Sequence, residues 1–494
     1  MSTTNTLKTN PNWKLLNPTQ QPDDLEKLLN ALNSDAQHAH PLFDPAQPIF
    51  AGRAPGRLDL MGGIADYSGA LVLELPLAVA TYAAVQAASD RNIIVRSLSA
   101  AEINSDSTVT ASLDLIQQAS SSDAHSYDPA HEMLTRHEKQ SWAAYVIGTL
   151  IVLLRERKLK LNHGLRLLIA SDVPAGKGVS SSAAIEVATM QALAGLLGAQ
   201  VMGREAAMLC QKAENLVVGA PCGVMDQMTS ACGEQDSLLA LLCQPAELQD
   251  SVKLPPQLAV WGIDSGVRHA VSGSDYTSVR VGAFMGYRIV ADVMGLAVKE
   301  IGNWQLAIED ARFRGYLANI SPSEWETHFR EHVPHQISGA EFLSRYKGFT
   351  DSVTKIDPAR VYAVRQPTEH PIYEHHRVQL FQALLGGYQS AYAQLLGELM
   401  FQSHQSYSAC GLGSEATDQV VELVRRAGLA SGLFGAKITG GGSGGTVAVL
   451  GRADASPVVQ RIAEDYARST GRKSMILTGS SHGAMKTGVL QLGV

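Results

Sequence analysis

The segment GLRLLIASDVPAGKGVSSSAAIEVATMQALAGLLG, residues 164–198, joins an apolar strand, a glycine-bearing turn and an apolar helix without a break. The pattern predicts a strand through GLRLLIASDVP and a helix through VSSSAAIEVATMQALAGLLG, with serines at its start and Gly198 at its end. A flexible loop therefore stands directly before a helix N-terminus. Unpaired N–H groups and the positive end of the helix dipole favour a polyphosphate at such a place, and Ser181 or Ser182 offers a hydroxyl to a phosphate-bound Mg²⁺. This is not a Walker A loop, because Lys177 is followed by Gly178 rather than Ser or Thr and the earlier glycine of that motif is missing. A serine-capped helix after an ordinary turn, with Lys177 as a solvated charge, fits the same residues.

The chain has 494 residues, 45% hydrophobic and 18% charged, enough for a large core divided between more than one domain. A formal net charge of -7 argues against nucleic-acid and membrane-surface partners, whose phosphates it would repel, and in favour of small molecules. The five cysteines are odd in number and lack C-x-x-C spacing, which suits reduced thiols in a cytoplasmic protein. The N-terminal residues have no continuous apolar run, and Glu74 and Pro76 interrupt the longest one nearby, so neither a signal peptide nor a membrane span is expected.

Residues 1–45 are polar and rich in Pro, Asn and Gln, so folded structure is expected to begin near Pro48. Residues 100–140 read as a long surface loop, and SWAAYVIGTLIVLLRER as a core helix. A boundary is expected at KLPPQLAV, residues 253–260, dividing 46–255 from 256–494. Beyond it, the segments from HHRVQLF to MFQSH and EATDQVVELVRRAG read as helices, and FGAKITGGGSGGTVAVLG and KSMILTGSS as strands. Residues 300–375 are more polar than their flanks and read as a lid, an oligomer contact or a loosely ordered insertion.

Three more stretches carry candidate chemistry. KITGGGSGGTVAVL, residues 437–450, has five glycines within six residues, a costly composition that close approach of another backbone or a ligand would justify, as would a hairpin bulge. KAENLVVGAPCGVMDQMTSACG, residues 212–233, carries Glu214 on a helical run and Asp226 in the loop after it; taken singly these are a solvated face and a helix cap. Cys222 in that loop has no base beside it and reads as a wall rather than a nucleophile. RLDLMGGIADYSG, residues 57–69, holds Asp66 in a glycine turn beside Ile64 and Ala65, where polar side chains would be the ordinary choice. His332, His335 and the HHR at 375–377 lack the spacing of a transition-metal site.

Taken in order, APGRLDLMGG, VPAGKGVSSSAA, PCGVMDQ and ITGGGSGG resemble the GHMP small-molecule kinases, and within them the galactokinase family. The likeness runs through WAAYVIG, DSGVRHAVSGSDYTSVR, ELMFQSHQSY and GSSHGA, over most of residues 48–485. It implies an α+β fold of two domains, an N-terminal half like ribosomal protein S5 domain 2 and a ferredoxin-like C-terminal half. It further implies an ATP-dependent sugar 1-kinase, with Asp226 as catalytic carboxylate at the anomeric hydroxyl and Arg57 stabilising its ionised form. Pro174, Ala175, Gly176, Lys177, Gly178, Val179, Ser180, Ser181, Ser182 and Ala183 would cradle the phosphates of ATP, and Ser182 and Glu214 would hold Mg²⁺. Gly63, Ile64, Asp66, Tyr67, Gly223 and Tyr276 would surround the sugar. Phosphoryl transfer asks mainly for positioning and charge neutralisation, which a helix N-terminus, a metal and an arginine can supply.

The chain departs from that family where galactokinases carry Glu-His-Thr-Asp-Tyr and it has Gly63-Ile64-Ala65-Asp66-Tyr67. The resemblance assigns the missing Glu-His pair to the hydroxymethyl end of the hexose and the aspartate to the ring hydroxyls. L-arabinopyranose has the ring stereochemistry of galactose with hydrogen in place of the hydroxymethyl group, so a pocket for it needs no donors there. GGIADY also looks like the corresponding stretch of L-arabinokinases, which makes L-arabinose the expected substrate and D-galactose the alternative. Galactokinase-like sugar sensors form a third class; the intact SSSAA, with Asp226 and Arg57, favours an enzyme.

Overall fold

The computed structural model describes residues 12–17, 21–121, 126–268 and 274–494. Its N-terminal half is built on one sheet whose strands run in the order Lys14–Leu15, Leu490–Gly493, Ile49–Met61, Leu71–Ala88, Gly164–Ser171, Asn92–Ser97 and Thr108–Ser112. Ser237–Leu242 pairs with the other end of the long strand Leu71–Ala88. The helices Ala143–Glu156, Ser181–Leu197, Gly203–Ala213 and Met225–Cys232 contribute to a single core against this sheet. Ala143–Glu156 is apolar around most of its circumference and is accordingly buried along nearly its whole length. Alanines let Ser181–Leu197 lie almost on the sheet: a Cβ at Gly52 would stand 2.2 Å from the Ala188 carbonyl oxygen. The residue two before that helix, Val179, is in turn held beside Gly56 and Arg57 of the strand, its carbonyl accepting from the Arg57 N–H at 3.1 Å.

Leu258–Asp264 is the first strand of a second sheet. That sheet has the order Leu433–Ile438, Thr446–Arg452, Leu258–Asp264 and Ile476–Leu477, with Glu415–Ala427 and Ser456–Thr470 packed on it through Val420, Val424, Val459 and Tyr466. The helices Arg365–Gly386 and Ala393–Ala409 bridge the halves, where Phe381, Leu396 and Met400 meet Leu58, Leu71 and Leu73. The last strand, Leu490–Gly493, returns to the N-terminal sheet, so residues 256–494 do not form a self-contained unit. KSMILTGSS contributes only the two-residue strand Ile476–Leu477.

Three expectations are corrected. Folded structure starts well before Pro48: the helix Leu25–Ala36 buries Leu28 and Leu32 with Trp13, Leu42 and Phe43 against Ile49 and Tyr82. Polar composition concealed it because its charges are used internally, Asp24 accepting from Arg53 at 2.7 Å and Asp35 pairing with Arg96. Residues 100–140 are not a loop, since Thr108–Ser112, Leu113–Ala119 and Asp128–Thr135 spend their few apolar residues, Val109, Leu113, Ile116 and Leu134, on the main core. Residues 300–375 are not a loosely ordered insertion. They fold around Trp325, Phe329, Phe342 and Tyr346 against the helix Ser274–Val293. Residues 1–11, 18–20, 122–125 and 269–273, the last within the DSGVRHAVSGSDYTSVR stretch, lie outside the described residues.

Candidate active site

The sheet turn, the helix N-terminus and the 212–233 loop converge on one cavity of about 540 Å³. At its centre Arg57, 2% exposed, donates from Nε at 3.0 Å and Nη2 at 2.7 Å to Oδ1 of Asp226. Its Nη1 donates to the Gly178 carbonyl at 2.8 Å, and the buried Glu74 lies 3.2 Å from Nε. Burial works against the charged guanidinium, but Asp226, Glu74 and Asp59 together raise its pKa, so it is a fixed cation. Asp226 sits in the first turn of Met225–Cys232 and makes no cap bond there, which leaves its carboxylate to the cavity and corrects the cap reading.

The 172–184 loop reaches this centre through its backbone. Ser180 stands before the helix with a left-handed backbone, φ 60°, and its buried hydroxyl makes no capping bond. The serine-capped reading is therefore also corrected: the first-turn amides have no side-chain cap. Ala175, Gly176, Gly178, Ser180, Ser181 and Ser182 line the cavity. Pro174, Lys177, Val179 and Ala183 do not: Val179 is buried and its carbonyl accepts from the Arg57 N–H at 3.1 Å, and Ala183 is packed in the helix. Lys177 is not a solvated charge either, since its Nζ pairs with Asp264 at 3.0 Å. The glycine bend 439–445 explains itself here. A Cβ at Gly440 would stand 2.7 Å from the Gly178 oxygen and one at Gly445 2.7 Å from the Lys177 oxygen, so two backbones meet where a hairpin bulge was the alternative.

Next to the helix N-terminus lies a group of acids. Glu214 accepts from Ser182, Cys222 and Gln227, and burial together with Asp226 pushes its pKa up to about 7. Glu186, fully buried and sharing Gln227 with Glu214, is pushed well up by burial and by Glu214, and one of its oxygens has no partner. Ser182 rather than Ser181 is the hydroxyl joined to Glu214. On the cavity wall Ser182 and Glu214 bring two hard oxygen donors into contact, the donor chemistry a magnesium-type cation takes when its remaining ligands come from elsewhere.

The 62–71 turn forms the other wall. Gly63–Ser68 is a 3₁₀ turn in which the Gly63 N–H donates to Asp59 at 3.0 Å and the Ile64 N–H to the Tyr407 hydroxyl at 2.9 Å; on its flanks Gly62 N–H donates to Glu374 at 3.2 Å and Leu71 N–H to His375 at 2.9 Å. Ile64 and Asp66 line the cavity. Burial and Asp226 push Asp66 up to about 7, while the Tyr67 N–H, at 2.7 Å, favours its ionised form. Gly223 has no room for a side chain, because a Cβ there would lie 1.7 Å from Asp66. Tyr276 lines the cavity and meets Tyr67 edge to face, with ring centroids 6.0 Å apart; Tyr67 itself stands behind that wall. Gly63 likewise does not face the cavity, since its side-chain direction is filled by Tyr407.

Sequence reasoning missed the apolar end of the cavity, Ile103, Trp142, Tyr145 and Pro221, although WAAYVIG marked two of these residues as part of a motif. It also missed Arg280, which is held by Asp351 at 2.8 Å and donates to the Cys222 carbonyl at 3.1 Å, so the 300–375 region braces the loop that leads into the helix carrying Asp226. Cys222 lines the cavity as expected, and all five cysteines are free thiols.

Comparison with known proteins follows the same geometry. The GHMP kinases N terminal domain model matches residues 144–234, the GHMP kinases C terminal model residues 390–468, and the galactokinase galactose-binding signature residues 41–87. The chain is 42% identical over 496 residues to an L-arabinokinase of Arabidopsis thaliana, across 91% of this chain but 47% of that protein, so it spans about half of that relative. It is 30% identical to a galactokinase of Chloroflexus aurantiacus, across 86% of this chain and 90% of that one. Among solved structures, the Lactococcus lactis galactokinase complexed with galactose superposes with a TM-score of 0.67 at 19% identity, covering 93% of this chain and 99% of that one. The Methanococcus jannaschii mevalonate kinase gives 0.52 at 13% identity, over 88% and 98%.

Proposed function

Because the chain belongs to the galactokinase family of GHMP kinases, we propose that it transfers the γ-phosphoryl group of ATP to the anomeric hydroxyl of L-arabinose, giving L-arabinose 1-phosphate and ADP. The observation that carries the choice of sugar is Ile64, 1% exposed and on the cavity wall, beside a glycine with no room for a side chain. An apolar wall there leaves a hydroxymethyl hydroxyl without a partner, whereas a ring hydrogen needs none. The Arabidopsis relative named an L-arabinokinase supports the same reading.

In this reading the anomeric oxygen forms the new bond to the γ-phosphorus while the bond to the β,γ-bridging oxygen breaks and its electron pair leaves with ADP. Both guanidinium bonds from Arg57 fall on Oδ1 of Asp226, so Oδ2 is the atom assigned to the sugar hydroxyl and its proton. Arg57 fixes the orientation of that carboxylate and ties it, through the Gly178 carbonyl, to the loop that would cradle the phosphates. Asp66 would accept from ring hydroxyls. The apolar end with Trp142 and Tyr145 would take the base of ATP. Ser182 and Glu214 would hold Mg²⁺, which neutralises phosphate charge when bound there. The free thiols suit a reducing, cytoplasmic setting.

A panel of L-arabinose, D-galactose, D-galacturonate and L-fucose with MgATP, compared by kcat/KM, tests the proposal. The match to the galactose-binding signature makes D-galactose the competing substrate. Preference for D-galactose would reject the pentose reading, and binding of sugar and ATP without any sugar phosphate would reject the kinase reading.

A further inference from the structure

A single buried hydroxyl joins two walls of the cavity that come from opposite halves of the chain. Tyr407, fully buried on the helix Ala393–Ala409, accepts from the Ile64 N–H at 2.9 Å and lies 3.1 Å from the Gly440 carbonyl, to which its proton is directed. Asp59 Oδ2 is a weaker alternative acceptor at 3.3 Å, since it is already paired with the fully buried Lys437 at 2.6 Å. Ile64 and Gly440 both line the cavity, and Tyr407 does not. The same hydroxyl occupies the side-chain direction of position 63: a Cβ built on Gly63 would stand 2.6 Å from Asp59 Oδ2, and 1.5 Å from Oη and 2.6 Å from Cζ of the tyrosine. Both tyrosine atoms are held by hydrogen bonds and packing, so they cannot swing aside as the free end of a surface chain would.

We infer that Tyr407 is a positioning and specificity-determining residue: it pins Ile64 as the apolar wall of the sugar site and excludes any side chain from position 63. The two positions are thereby coupled, so that a side chain enters at 63 only when Tyr407 is shortened. The identity of the excluded sugar rests on the L-arabinose reading, but the coupling does not.

Removing the hydroxyl alone leaves the Ile64 amide and the Gly440 carbonyl buried without that partner and frees the wall to shift. Tyr407→Phe is expected to raise the KM for L-arabinose about tenfold and lower the arabinose-to-galactose ratio of kcat/KM about fivefold, with the KM for ATP within about twofold. A purely structural tyrosine would scale all these constants together, whatever the change in Tm, and that result overturns the proposal.

The coupling is read in a cycle of Gly63→Ala, Tyr407→Leu and the double variant. Gly63 has φ +44°, so alanine is strained there in either background, and that strain cancels in the cycle. In the presence of Tyr407, Gly63→Ala is expected to lower kcat/KM by about thirtyfold or more; with leucine at 407 the same change should cost at least about tenfold less, the backbone strain and the Asp59 contact remaining in both backgrounds. Equal cost in both backgrounds overturns the coupling. The same cycle measured as Tm of the unliganded protein needs no substrate and reports even if Gly63→Ala is inactive. A coupled cycle in a protein that prefers D-galactose would remove the L-arabinose reading and leave the coupling standing. A coupled cycle with an unmoved sugar ratio would remove the specificity role.

Discussion

The phosphate loop and the sugar loop face each other across one cavity and are held in opposite ways. Residues 175–182 present backbone, and their neighbours meet them as backbone, Gly440 on Gly178 and Gly445 on Lys177. The turn around Gly63 is suspended from side chains remote in sequence, Glu374, His375 and Tyr407, on two helices of the other half. A loop made of backbone is intolerant of added side chains and indifferent to most distant substitutions. A loop hung on side chains can be retuned from far away without disturbing the phosphate-transfer groups. On this view, sugar preference and turnover are separable properties of the chain.

The sharpest test of that separation is Asp226→Asn, which removes charge with little change of shape. We expect kcat to fall by about 10³-fold or more while sugar and nucleotide affinities stay within a few-fold, measured by steady-state kinetics and calorimetric binding. A variant with kcat within tenfold of wild type would remove Asp226 from the chemistry. Glu214→Gln should act next most strongly, raising the Mg²⁺ concentration for half-maximal rate by about ten- to a hundredfold with the sugar KM nearly unchanged. An unaltered Mg²⁺ dependence would move the cation elsewhere.

That contrast also accounts for what could be read in the sequence. The strand–turn–helix at 164–198 was legible because its glycines, serines and periodicity are local, and so was the order of the motifs that places Arg57 and Asp226 together. Tyr407 was not. Nothing at residues 57–69 announces that the missing side chain at 63 is replaced by a hydroxyl more than 300 residues away, and only the clash distance at Gly63 reveals it. The same holds for Asp351, in the region that composition marked only as polar, whose grip on Arg280 supports the Cys222 loop. The early helix Leu25–Ala36 was hidden for a related reason: its acids are consumed by Arg53 and Arg96 rather than by water. Local punctuation reports backbone-built features, whereas side-chain braces between distant segments leave no pattern of their own.

On the sugar side a smaller effect is expected from Ile64→His, which adds polar atoms to the cavity wall without touching Gly63. The arabinose-to-galactose ratio should fall about tenfold, because the new imidazole is left unpaired beside the pentose and gains a partner in the hexose. The KM for ATP should not move. Placing Glu-His at 63–64 is not a simple swap, since glutamate at 63 would collide with Tyr407. An unchanged ratio in a folded, active Ile64→His protein would mean that the wall does not read that end of the sugar.

The smallest expected effect compares the two loops through their acids. Asp66 and Glu214 both have pKa values pushed up to about 7, from ordinary values of 3.8 and 4.5, by burial and then by Asp226. Between those limits the folded protein holds protons that the unfolded chain has released, so stability from these groups is fully present below about pH 4 and is lost as pH rises through 7. Wild type should therefore lose Tm relative to Asp66→Asn, and separately relative to Glu214→Gln, between pH 5 and 8, by a few degrees in each comparison. The two loops should then differ in what relieves the penalty. MgATP should restore wild-type Tm at pH 8 more in the comparison with Glu214→Gln, because its cation would neutralise that carboxylate directly, while the Asp66 difference should respond chiefly to sugar, whose hydroxyls can donate to the ionised form. If sugar and MgATP relieve both differences equally, the acids titrate as one cluster and the division between the loops is one of architecture alone.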